Sequence, residues 1–202
     1  MPTVQIGTFP VSEAFLSKPE IFKAPLDVIK TSDGHISSFY GSQVEDGKTG
    51  YFVSVWESYE HHQKLIGEPS YANLIEALKP AAAGKLDRNH FNVTGDADTA
   101  LSSPAVEFVV FTLKADSSAD KLVPLLEDLA KALNIATGAH PPCMWGQSIE
   151  NKSKYLLIVG WDTVAAHWEA VKEGTDLHKI VVSITGQADL TIGHSHITKH
   201  KD

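Results

Sequence analysis

The side chains in this chain best suited to chemistry are its histidines, ten among 202 residues. An imidazole near its ordinary pKa can take a phenol or enol proton and return it. His62 and His167 occupy matching surroundings, each four residues after a hydroxyl residue, Ser58 or Thr163. His194 and His196 alternate, so on an extended strand both would point to one face, and His90 with Asn92 offers the same spacing earlier in the chain. Two imidazoles on one face could polarise a carbonyl while a partner removes a proton. They could also ligate a metal, but such a site normally takes three or four ligands and none is spaced locally, so no metal is expected. His178 stands near the start of a helix where the first half has Ala72 or Asn73. His194 and His196 are therefore candidates for acid–base catalysis. Trp145, His167, Trp168, His62, His90 and Tyr40 are candidates for lining a ligand site. The aromatic members serve equally well as core, which is the commoner fate of aromatics at strand ends and on helix stripes.

Other chemistries lack their residues. The single cysteine, Cys143, follows Pro141-Pro142, carries no nucleophile motif and cannot form an internal disulfide. There is no Gly-rich phosphate loop and no Ser-centred nucleophile elbow. With 17 basic and 25 acidic residues the formal charge is −8, and no Lys or Arg run offers a phosphate-tracking surface. Nucleic acid and anionic membranes are thus poor partners, and a small apolar or aromatic ligand is the better match. The N-terminal residues lack a signal peptide's basic and apolar segments, and no apolar run reaches the roughly 18 residues of a membrane span, which makes the cytoplasm the expected compartment.

The elements that must position these histidines occur twice. Tyr40-Gly41, Trp56 and His62 return as Trp145-Gly146, Trp161 and His167, all at an offset of 105. Each half opens on a β-branched and aromatic run, Val4–Phe9 or Val106–Phe111, which reads as a strand. In the second half Leu122, Leu125, Leu126, Leu129 and Leu133 form one apolar helical stripe. The matching stretch 18–30 carries Pro19 and Pro25, so a shorter or broken helix is expected. Strands around 38–42 and 144–148 turn through Glu45–Lys48 and Glu150–Ser153 into strands 51–56 and 155–161. Second helices follow with stripes at Tyr71, Leu74, Ile75, Leu78 and at Leu177, Ile180, Val181, Ile184. Closing strands run over His90–Val93 and His194–Ile197. The fold class is α+β, two tandem β-α-β-β-α-β units of ferredoxin-like order, spanning 1–94 and 106–202 with a linker at 95–105.

The strand ending in Trp56-Glu57-Ser58 or Trp161-Asp162-Thr163, the histidine four residues after the cap, and the aromatic-Gly pair together resemble the dimeric α+β barrel superfamily. The resemblance is to its antibiotic-biosynthesis-monooxygenase domains and the related stress-responsive A/B barrels. It implies two ferredoxin-like units pairing into one barrel within a single chain, with up to two pockets between sheet and helices. It also implies that His178 joins His194 and His196 as a candidate for acid–base catalysis, since a histidine in this region is the base in plant polyketide cyclases. Three functional readings follow. One is a cofactor-free monooxygenase or cyclase acting on an aromatic or polyketide-like compound through histidine acid–base catalysis. The second is a heme-binding protein. The third is a non-catalytic ligand-binding or dimerisation module, with a homodimer of the whole chain as a further partner. Fold alone does not choose among them. Because Trp145, His178 and His196 enrich the second half, its pocket is the expected working one.

Overall fold

A computed structural model describes residues 1–201. The chain forms two compact units, one of Met1–Asn92 together with the segment from Ser195 on, the other of Val93–His194. In the first unit β1 (Thr3–Pro10) leads into α1 (Glu13–Ser17), a 3-10 turn at Pro19–Phe22 and α2 (Lys23–Lys30). Then come β2 (His35–Ser42), β3 (Thr49–Trp56), α3 (Tyr59–Ile66), α4 (Tyr71–Leu78) and β4 (Asp87–Thr94). The expected break is present, with Pro19 starting the 3-10 turn and Pro25 in the first turn of α2, where a missing amide costs no intrahelical bond. Strand order is β4-β1-β3-β2, the ferredoxin-like order, with antiparallel registers.

The second unit adds α5 (Ala97–Leu101) inside the segment read as linker. It continues with β5 (Ala105–Leu113), α6 (Ala119–Leu133), β6 (Ala139–Ser148), β7 (Lys154–Trp161), α7 (Val164–Ala170), α8 (Asp176–Thr185) and β8 (Ala188–Ser195). Its order, β8-β5-β7-β6, repeats that of the first unit. The predicted closing strand over His194–Ile197 is corrected at its end. β8 stops at Ser195, whose hydroxyl donates to the Ser42 carbonyl at 2.7 Å, and a short β9 (Thr198–Lys199) pairs with β2. His196 therefore lies off the strand and is exposed, so it does not share a strand face with His194.

The registers show which positions of the two units correspond. Thr3 pairs with Trp56 in β1–β3 and Ala105 with Trp161 in β5–β7, so two residues on Gln5 corresponds to Glu107. Gly34 and Gly138 correspond as well. Each turns the chain from a helix into a strand with positive φ, +72° and +81°, a region that disfavours any side chain. The cores differ in what fills them. The first unit packs Phe9, Phe15, Phe22, Tyr40 and Phe52 into one aromatic cluster with ring centroids 5.4–5.8 Å apart. The second packs aliphatic side chains, Leu122, Leu126, Leu129 and Leu133 of α6 against Val109, Leu157 and Val159. Burying each such side chain contributes roughly 1.5–3 kcal/mol. Slimmer side chains over the same sheet leave space. Among the described residues no helix is long and apolar enough to cross a membrane.

Candidate functional site

The site is built from β5, β7, α7 and β8 of the second unit. Strand alternation puts Ala105, Glu107, Val109 and Phe111 on the face covered by helices, and only Glu107 among them is polar. Its carboxylate is held on both oxygens: Trp161 Nε1–H donates to Oε2 at 2.8 Å, and His167 Nε2 lies 3.2 Å from Oε1. The other ring nitrogen of His167, Nδ1, is 2.9 Å from His194 Nε2. Glu107, His167 and His194 are 4%, 3% and 0% exposed. Thr163 fixes the start of α7 by accepting the Ala166 amide at 3.0 Å, which aims His167 inward one turn later. Trp168 lies with its ring centroid 4.5 Å from that of His167 and 5.5 Å from that of His194, and it remains half exposed.

This line of hydrogen bonds borders a cavity of about 290 Å³. Val109, Phe111, Leu133, Leu157, Val181 and Ile192 make most of its wall apolar, Glu107 and His167 give it one polar end, and Trp168 and Lys172 complete it. A largely apolar cavity with few convergent polar groups suits a small organic ligand. Glu107 also supplies the third metal-ligand type that local spacing does not offer, since donors of Glu107, His167 and His194 all lie within 4.8 Å of one another. The arrangement is nonetheless a chain. His167 presents one nitrogen to each neighbour, which links the three as hydrogen-bonded partners of one another.

The first unit keeps the imidazole pair without the carboxylate. His62 Nδ1 is 2.7 Å from His90 Nε2, and the His62 ring stacks on Trp56 with centroids 4.7 Å apart. Burial, with His90 and Arg88 adding to it, holds the His62 pKa down at about 3, so the ring is neutral at physiological pH. Where Glu107 meets Trp161 directly, Trp56 Nε1–H donates to Ser54 Oγ and Ser54 donates on to Gln5 Oε1, both at 2.8 Å. The corresponding cavity has shrunk to about 20 Å³.

The remaining sequence candidates lie elsewhere. His178 Nδ1 is 3.1 Å from the Val171 carbonyl oxygen at the start of α8, and the residue does not line the cavity. Trp145 packs against the second unit's core and Tyr40 stacks on Phe22 in the first. His196 is exposed beyond β8. The structure thus brings His167, His194 and Trp168 together, and separately His62 with His90. Glu107 was not singled out by the sequence. Its signal was a lone acid inside the apolar run Val106–Phe111, opposite Gln5 in the other copy.

Similar architecture occurs in solved structures. A candidate monooxygenase of Fusobacterium nucleatum subsp. nucleatum aligns with a TM-score of 0.73 at 12% identity, over 100% of this chain and 94% of that one. A candidate monooxygenase of Lactobacillus acidophilus gives 0.68 at 15% identity over 99% and 94%. An anthrone oxidase-like protein gives 0.67 at 13% identity over 100% and 94%. The chain has the fold of these structures, two tandem ferredoxin-like α+β units. At these identities the likeness is one of fold. No known family model matches the sequence, and no curated protein matches it. Within this tandem α+β chain, the cavity and its polar end belong to the second unit.

Proposed function

We propose that the second unit binds a small, apolar, ring-bearing molecule with an acidic hydroxyl or enol and performs proton transfer on it, as a cofactor-independent oxygenase or cyclase. One observation carries this reading: the imidazole pair is common to both units, but only where an open apolar cavity adjoins it does a carboxylate back it. A substrate hydroxyl at the polar end meets Glu107, whose oxygens retain lone pairs beyond the Trp161 and His167 bonds. Glu107 takes the proton, and His167 and His194 redistribute it along their hydrogen bonds. The enolate left behind can close a ring by attacking an internal carbonyl, with the new alkoxide taking the proton back. Alternatively it reacts with dioxygen, a methylene carbon becoming a carbonyl while the second oxygen atom leaves as water. The apolar wall excludes bulk water, which strengthens the electrostatic hold on the developing anion. Glu107 is the catalytic base in this scheme, and Trp161 and His194 are positioning residues.

Anthrone in air-saturated buffer tests the proposal, with its oxidation followed optically. Glu107→Gln, which gives the second unit the first unit's residue, should lower the rate about 100-fold or more, the scale of a lost general base. It should also shift or abolish the pH profile while leaving the cooperative unfolding transition in place. Wild-type turnover no faster than buffer, or a Glu107→Gln rate equal to wild type, overturns it.

A further inference from the structure

The first unit's site has changed polarity as well as closing. Arg88 is the only arginine in the chain. It corresponds to Ile192, as His90 corresponds to His194 two residues on. Its guanidinium donates to Tyr71 Oη and lies over the Tyr71 ring, 6.0 Å from the centroid. Among the described residues it makes no ion pair, although 25 acidic residues were available to supply one. A guanidinium carries five N–H donors in a fork that matches a carboxylate.

Behind Arg88 stands Gln5, 1% exposed, with its Nε2 lacking any hydrogen-bond partner. That orientation is set by the chain of donors: the Trp56 indole can only donate, so Ser54 donates onward and Gln5 must accept with Oε1. The orphan amide nitrogen is therefore the end of Gln5 left over from that chain, and Gln5 lines a small cavity with His62, Tyr71 and Arg88. On its other side Arg88 lines an open groove of about 900 Å³ whose floor includes Ile75, Leu78 and Leu86, with Lys79 and Lys85 also lining it. Tyr71 and Arg88 line both spaces and stand between them. Hydrogen-bond donors thus converge beside an apolar floor, and Asp87, which also lines the groove, forms no ion pair with Arg88 among the described residues. A single water fits in 20 Å³ and would satisfy Gln5, but it gives the guanidinium, which donates to Tyr71 Oη, no anionic partner.

We propose that the first unit is a second small-molecule site, binding an apolar carboxylate, an aryl or acyl acid. The carboxylate accepts from Arg88 and the Tyr71 hydroxyl, and the hydrocarbon lies along Ile75, Leu78 and Leu86. This ligand class is opposite to that proposed for the second unit, where the protein supplies the carboxylate, and the two sites stand or fall separately.

A single arginine yields a single Nε–H resonance, so titrating the ¹⁵N-labelled full chain with 2-naphthoate, and with uncharged 2-naphthol as control, reads this site directly. Naphthoate should move the Arg88 Nε–H and Gln5 side-chain amide resonances in a saturable way, whereas naphthol should leave both in place. Arg88→Gln should weaken naphthoate binding by about 10-fold or more in calorimetry, the scale of a charge-assisted bond. Glu107→Gln, in the other unit, should leave naphthoate binding as it is. An Arg88 resonance that stays put up to millimolar naphthoate overturns the proposal. So does an Arg88→Gln protein that binds naphthoate like wild type.

Discussion

Acidification from pH 7 to pH 5 should destabilise the first unit through His62, and the size of the effect follows from its burial. The folded ring resists protonation until about pH 3, whereas in the unfolded chain it takes a proton near 6.5. Between those values the unfolded state binds one proton more than the folded state, so stability is full above about pH 6.5 and falls as the pH drops. One proton contributes at most about 1.4 kcal/mol per pH unit, so His62 alone accounts for about 2 kcal/mol lost by pH 5. His35, also held down by burial, to about 4, acts in the same direction. The carboxylates with lowered pKa values, such as Asp33 and Asp46, begin to contribute only below about pH 4.5, which leaves a clean window above them. Urea unfolding at pH 7, 6 and 5 measures the slope in wild type and in His62→Gln, whose amide keeps a hydrogen-bonding group opposite His90. The variant should lose about 1.4 kcal/mol per pH unit of slope near pH 5. Parallel pH dependences in the two proteins would refute the claim that His62 is buried neutral.

Two further outcomes test local geometry. Gly34→Ala and Gly174→Ala both force a side chain onto positive φ, a strain of about 1–2 kcal/mol. A Cβ at Gly34 would also lie 2.2 Å from His61 Cγ, while at Gly174 nothing comes within 4 Å, so thermal melts should show the larger loss at Gly34, and equal losses would contradict the packing. Cys143 is buried with its thiol pKa pushed up to about 11 by that burial, so a disulfide reagent at pH 8 should label it only as fast as the second unit opens; rapid labelling of the native protein would place it elsewhere.

The doubled architecture was legible because it is written in residues whose spacing survives divergence. Trp56 and Trp161 end equivalent strands, His62 and His167 follow one turn after the caps Ser58 and Thr163, and the leucine stripe of α6 has helical period. What the sequence hid depends on partners distant along the chain. Glu107 reads as one polar residue in a strand until the β5–β7 register sets it beside Trp161. His194 and His196 look paired because alternation presumes a continuing strand, yet β8 ends at Ser195 and its hydroxyl turns to Ser42. His178 looked chemical by resemblance, but its Nδ1 sits at hydrogen-bond distance from the Val171 carbonyl oxygen at a helix start. The proline rule held for α2 and missed its counterpart, since Pro124 lies inside α6, where the leucine packing retains the helix despite a lost bond.

The two differences between the units are physically coupled, which is why they form a pattern rather than drift. Glu107 and Ile192 line one cavity, and Gln5 and Arg88 line its counterpart. Had Glu107 faced an arginine at the Ile192 position, carboxylate and guanidinium would pair across the space, fill it, and leave neither charge for a ligand. An apolar residue at 192 keeps the cavity open and leaves the carboxylate to Trp161 and His167. In the first unit the same logic runs in reverse. Gln5 is neutral and cannot neutralise Arg88, so the guanidinium stays available toward the groove while the phenylalanine-rich core closes the space behind it. Each unit therefore keeps one charged partner and omits the one that would quench it. The fold supplies the imidazole pair to both, and the pairings 107 with 192 and 5 with 88 set which charge each unit presents beside it, a carboxylate in the second and a guanidinium in the first.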